Sequence, residues 1–180
     1  MGNALNLLMN GNVFLYYGEE LGMKGSGKDE NKRAPMYWSK DGNAEGMCKG
    51  PADMDDFRMK FDSLEEQQED PDSIYNYVKQ VIRVRNQNPV IARGTTAYLE
   101  QYSGEQCFAM TRSDENSSLL MLGNTSAETA TVDLSGLTVG KTAAEELVLL
   151  GELYTGEETA ERTGAEITLP AWSILILGEE

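Results

Sequence analysis

Apolar and polar positions along this chain follow three different rhythms. Residues 3–9 (NALNLLM) read as the end of a helix with Leu5, Leu8 and Met9 on one face. Asn10-Gly11-Asn12 then supplies a C-cap and turn signal. Val13–Tyr17 is continuously apolar, the pattern of a parallel strand buried on both faces. From Gly18 to Asp72 periodicity is lost in a long, polar, glycine-rich loop. Loops of that length in a compact domain are usually functional or disordered. The composition permits a short helix around Met54–Phe61. Asp70-Pro71-Asp72 then announces a helix opening at Ser73. Ile74, Tyr77, Val78, Val81, Ile82 and Arg85 recur at helical spacing. Asn88-Pro89 ends this helix, predicted over 73–87, because the residue before proline is pushed out of the α region.

After Gly94 the rhythm becomes that of strands. Runs of β-formers at Ala97–Tyr102, Gln106–Arg112, Ser118–Asn124, Ala130–Leu134, Leu147–Leu150, Glu166–Leu169 and Ser173–Leu177 alternate with turn clusters. Short strands at this spacing predict an antiparallel sandwich of Greek-key type. The boundary falls near Arg93-Gly94. Residues 1–93 hold a β–long loop–α unit that cannot cover both faces of its own strand. Residues 94–180 hold an all-β module that can. The expected class is therefore α+β.

Charge narrows the partners. The chain carries 30 acidic and 15 basic residues, a net charge of −15. That sign opposes phosphate backbones and anionic membrane surfaces, so neither nucleic acid nor membrane is an expected partner. A neutral sugar polymer is indifferent to it. No apolar run approaches the roughly 20 residues of a membrane span. Residues 51–72 hold nine acidic residues against two basic ones, which reads as a solvated face. Cys48 and Cys107 lie far apart without metal-ligand spacing and read as free thiols. No metal or cofactor is expected. Residues 1–9 show no basic n-region and no cleavage site, and the compartment stays open.

The order strand, long loop, helix and small β-module, with its motifs, resembles the C-terminal portion of α-amylase-family glycoside hydrolases. Residues 12–22 match an apolar strand followed by Tyr-Tyr-Gly-acid-Glu-aliphatic-Gly. Residues 29–38 (DENKRAPMYW) resemble a loop of amylases and oligo-α-glucosidases, down to Arg-x-Pro-Met-x-Trp. Residues 70–88 look like the final barrel helix. Asn124-Thr125-Ser126 and Leu169-Pro170-Ala171-Trp172-Ser173 sit where the family's C-terminal sandwich has similar residues. The resemblance implies the last β/α unit of a TIM barrel followed by that sandwich. It implies retaining hydrolysis of an α-glucan or of malto- or isomalto-oligosaccharides in the intact enzyme.

In this family the nucleophile, the acid and a third Asp that follows a His all lie upstream of the segment seen here, and this chain contains no His. No catalytic residue is therefore assigned, and the chain alone is expected to be inactive. An alternative reading is a non-catalytic carbohydrate-binding or interaction module. Asp29 and Arg33 match the loop residues that hold glucose hydroxyls near the cleavage point. A carboxylate accepts from hydroxyls and a guanidinium donates in a fixed fork, which suits the role. By spacing alone the two read as an i,i+4 surface ion pair worth only about 0.3–0.5 kcal/mol. Trp38 suits stacking on a pyranose ring and equally suits a packed loop anchor. Glu19 and Glu20 read as structural, and Trp172 as filling the sandwich core. An exposed Val13–Tyr17 segment invites self-association of the isolated chain.

Overall fold

The computed structural model describes residues 1–42 and 44–179. The chain forms two compact units, one of Met1–Val13 with the chain from Gln80 onward, the other of Phe14–Lys79.

The first unit is built on antiparallel strands. A five-stranded sheet takes β1 (Thr95–Tyr98), β2 (Cys107–Ser113), β3 (Ser118–Asn124), β10 (Ser173–Gly178) and β7 (Val148–Leu153), in that order. A second sheet has the order β4 (Ala130–Asp133), β9 (Glu166–Leu169), β8 (Glu161–Thr163), and β5 (Thr138–Val139) with β6 (Thr142–Ala143) forms a small hairpin. Alternate residues of β2, β3 and β10 meet those of β4 and β9 in one buried cluster, including Ala109, Leu120, Leu122, Leu175 and Leu177 against Val132, Ile167 and Leu169. The intervening residues Leu119, Met121, Ile174 and Ile176 are buried as well. This explains why β3 and β10 read as unbroken apolar runs: they are the inner strands of the sheet and are covered on both faces. Every residue of edge strand β1 is exposed.

The second face of the large sheet is covered from within the same unit. α1 (Gly2–Leu7), α4 (Val90–Arg93) and the C-terminal part of α3 (Ile74–Gln87) supply buried Leu7, Leu8, Val81, Val84 and Ile91. Val84 comes so close to β7 that a Cβ on Gly151 would sit 2.7 Å from its methyl carbon. Arg85 donates to the carbonyls of Leu7, Met9 and Gly11 at 2.7, 2.6 and 2.6 Å. Those oxygens are left over where α1 ends, and a cation there also suits the helix dipole. Arg112, on β2 and 2% exposed, donates to Leu8 O at 3.3 Å.

In the second unit regular structure is sparse. Glu19–Leu21 and Asp29–Arg33 form 3-10 turns, and α2 covers Leu64–Glu69. Ser63 and Glu66 close a capping box on α2, with Ser63 N and Oγ donating to Glu66 Oε2 at 3.1 and 2.9 Å. Buried Gln67 organises the rest. Its Nε2 donates to Leu21 O at 3.0 Å and Asp62 O at 2.7 Å, and its Oε1 accepts from Tyr75 N at 3.1 Å. Its carbonyl accepts from Ser73 Oγ at 2.6 Å. The start of α3 is thus held by Gln67 together with Ser73, whose Oγ accepts from Asn76 N at 3.2 Å.

Three expectations from the sequence are corrected. Val13–Tyr17 belongs to no strand ladder. A strand exists only beside another strand, and this segment has none beside it among the described residues; Phe14 and Tyr16 are 84% and 57% exposed. Met54–Phe61 is not helical, because Asp55 N donates to Asn31 Oδ1 at 3.0 Å and so is taken by a side chain. The helix of this region is α2, where the capping box lies. Trp172 is outside the buried cluster and 40% exposed. It precedes β10 at a corner where its φ of 53° breaks the extended backbone.

Candidate functional site

Two of the three predicted sugar-contact residues, Asp29 and Arg33, lie on the stretch between Tyr16 and Ala34, which folds over a cleft of about 500 Å³. Its walls include Tyr16, Tyr17, Glu19, Lys24, Asp29 and Arg33. Asp29–Arg33 is a 3-10 turn, in which residues three apart eclipse, so the four-apart pair meets only loosely, with Arg33 Nη2 3.8 Å from Asp29 Oδ2. Lys32 Nζ is also 3.8 Å from Asp29, and Arg33 lies 3.6 Å from Glu30. These are loose contacts on groups open to solvent, Asp29 being 78% and Arg33 55% exposed at the side chain. Both keep hydrogen-bonding capacity for a ligand. The ion pair itself contributes little to stability.

Rigidity comes from residues that the local pattern does not reveal. Asn31, 4% exposed, donates from Nδ2 to Ser26 O and to Asp55 Oδ2, both at 2.8 Å. Lys28 Nζ meets Asp55 Oδ1 at 2.7 Å. Hydrogen bonds from Lys28 and then Asn31 hold the Asp55 carboxyl below its ordinary pKa. A residue 24 positions away thus fastens the turn that bears Asp29 and Arg33. Tyr17 OH donates to Ala34 O at 3.0 Å and closes the loop at its far end. Loss of water around that hydroxyl raises its pKa, with the Tyr16 phenol adding to the effect and Arg33 opposing it. The Tyr16 and Tyr17 rings stand 4.8 Å apart. They give the cleft an aromatic wall beside its carboxylate and guanidinium.

Trp38 is not among the residues that line this cleft. It is 41% exposed, and its backbone is tied to α2 by the bond from Glu65 N to Trp38 O at 3.2 Å. The structure therefore brings Asp29 and Arg33 together and leaves Trp38 elsewhere on the loop. Glu19 Oε2 accepts from Tyr16 N at 3.2 Å, whereas Glu20 Oε2 is buried without a hydrogen-bond partner. The two adjacent carboxyls do not act as a pair. Among the described residues no group of His, Cys, Asp and Glu side chains could hold a metal, and no helix is long and apolar enough to cross a membrane.

Comparison with known proteins gives this arrangement its context. A model of the α-amylase catalytic domain matches residues 1–94, which include the whole cleft. Alpha-amylase 3 of Dictyoglomus thermophilum is 30% identical over 94 residues, 52% of this chain and 19% of that protein. An α-amylase of Streptomyces lividans is 25% identical over 186 residues, 98% of this chain and 18% of that protein. Among solved structures, Eubacterium rectale Amy13B superposes with a TM-score of 0.91 at 41% identity, over 99% of this chain and 33% of its own. The α-amylase from H. orenii gives 0.74 at 26% identity, over 99% and 34%. The chain thus spans about a fifth of these curated relatives and about a third of these solved ones. With more than half its length matched by the catalytic-domain model, and mixed helices and antiparallel sheets that superpose on solved amylases, the chain belongs to the α-amylase family of glycoside hydrolases.

Proposed function

We propose that this chain is the closing part of a retaining α-glucan hydrolase. In this reading residues 1–93 complete a (β/α)₈ barrel and residues 94–180 form its C-terminal Greek-key sandwich. The cleft beside Asp29 and Arg33 holds glucose units of an α-glucan or a malto- or isomalto-oligosaccharide. The observation that carries the proposal is the convergence of Asp29, Arg33 and the Tyr16–Tyr17 pair on one cleft in the family-matched segment. A carboxylate to accept, a guanidinium to donate and aromatic faces to cover C–H edges make up the chemistry of sugar binding. Trp38 offers a further stacking surface on the same loop. Chemistry at the glycosidic bond needs two carboxyls about 5–5.5 Å apart, and these are assigned to other parts of the intact enzyme.

The test uses the intact enzyme. Asp29→Ala and Arg33→Ala are each expected to lower kcat/KM for maltooligosaccharides roughly 10²-fold, the effect of removing a charged partner of a substrate hydroxyl. Values within threefold of wild type for both would sink the assignment.

For the isolated chain we propose self-association into a defined dimer. Tyr16 and Tyr17 present 57% and 43% of their surface in a segment with strand-like composition, and the net charge of −15 opposes loose aggregation. Sedimentation should show a concentration-dependent shift in mass. A strict monomer over a hundredfold range of concentration would refute the proposal.

A further inference from the structure

Trp172 sits at the corner where the chain leaves β9 of the small sheet and enters β10 of the large one. Among the described residues it is the one non-glycine with positive φ, at 53°. A bulky side chain enters that left-handed region only at a cost. The corner is firmly held. Trp172 N donates to Ser126 O at 3.2 Å, and Trp172 O accepts from Thr155 Oγ1 at 3.3 Å. Ser173 Oγ donates to Pro170 O at 2.7 Å. Behind it, fully buried Asn124 holds the Leu169 and Pro170 carbonyls at 3.2 and 3.0 Å. A rigid scaffold therefore holds an indole 40% exposed at a position the sequence assigns to the core.

Those hydrogen bonds hold two polar loops against the backbone of Trp172. Residues 125–129 read TSAET and residues 155–159 read TGEET. They carry hydroxyls and carboxylates and not one Lys or Arg. Thr125 N and Oγ1 further donate to the backbone carbonyl of exposed Gln106 at 2.8 and 3.2 Å, which fixes the first of these loops. An exposed indole on a corner bonded to loops rich in hydroxyl and carboxylate side chains matches a neutral polyhydroxyl ligand, whose C–H face stacks while its hydroxyls donate. The acidic rim disfavours a nucleic acid strand. A single ring among polar groups is too small an apolar patch for a protein partner.

We propose that Trp172, with loops 125–129 and 155–159, is a second saccharide contact that takes a stretch of neutral glucan and does not use Asp29 or Arg33. That the glucan is α-linked rests on the function proposed above; the platform itself does not.

Native electrophoresis of the whole chain through gels containing a soluble α-glucan, a soluble β-glucan or no polysaccharide tests both statements. The α-glucan should retard the wild type. Trp172→Asn should weaken that retardation at least tenfold with Tm unchanged or higher, because Asn enters the left-handed region at less cost. Trp172→Tyr should restore retardation, and Asp29→Ala should keep the Trp172-dependent part. Wild-type retardation by Trp172→Asn, or equal mobility of the wild type in all three gels, would overturn the proposal. Retardation by the β-glucan alone, lost in Trp172→Asn, would uphold the platform and overturn its α-glucan assignment.

Discussion

Purified chain incubated with maltooligosaccharides is expected to release no reducing sugar above the buffer rate. Retaining hydrolysis needs one carboxylate to attack and a second, protonated carboxyl to protonate the leaving oxygen. The acid must carry a raised pKa to keep its proton near neutral pH. Among the described residues, Asp55, Glu66, Asp114, Asp133 and Glu179 are each displaced below the ordinary carboxylate range. Lys28 and Asn31 do this to Asp55, Lys40 and Ser63 to Glu66, backbone amides of Asn116 and Ser117 to Asp114, Ser135 to Asp133, and Lys141 and Thr142 to Glu179. Around the cleft, Asp29 faces Lys32 and Arg33, and Glu19 accepts a backbone amide. Both carboxylates are placed to accept from hydroxyls. Loss of a catalytic unit of this kind removes nearly all of the rate acceleration. Steady turnover proportional to protein, surviving repeated purification, would contradict this expectation.

Asn124→Ala is expected to destabilise the strand-rich unit by about 3 kcal/mol, a fall in Tm of roughly 10 °C. Asn124 is fully buried at the end of β3 and uses both ends of its amide. Nδ2 donates to Glu128 O at 2.7 Å as well as to Leu169 O and Pro170 O, and Oδ1 accepts from Ser126 N and Oγ at 2.9 and 2.8 Å. Alanine leaves five partner groups without their bond and opens a void between the two sheets. The corner bearing Trp172 loses its support in the same step. Ser126→Ala removes one of these bonds and should cost only about 1 kcal/mol. Thermal unfolding followed by circular dichroism distinguishes the two, and a Tm for Asn124→Ala within 2 °C of wild type would show that the network is dispensable.

Much of the architecture was legible in local pattern. Ser118–Asn124 and Glu166–Leu169 are strands with the bounds read from the sequence, and the helix expected at 73–87 runs from Ile74 to Gln87. In each case apolar spacing and the flanking turn or capping residues agree, so neighbours in the chain suffice to specify the element. Asp29 and Arg33 were singled out by the resemblance of residues 29–38 to a family loop, whereas their spacing alone reads as a weak surface ion pair, which is the contact the structure shows.

What the sequence did not disclose depends on partners far along the chain. β5, β6 and β8 lack a clear apolar run; β8 is fully exposed and exists because β9 offers it a ladder. Val13–Tyr17 has the composition of a strand, yet a strand is a property of two segments and its second is not among the described residues. Asn31 with Asp55, Gln67 with Leu21, and Arg85 with the end of α1 join positions 24, 46 and 78 or fewer residues apart. No periodicity encodes such pairs. Local sequence determined the longer elements, among them β3, β9 and α3. Tertiary structure alone decided which polar groups are buried against one another, that Trp38 stands apart from the cleft, and that Trp172 faces water. Burial and hydrogen bonding are settled by what the folded chain brings alongside, and a linear pattern carries no record of that.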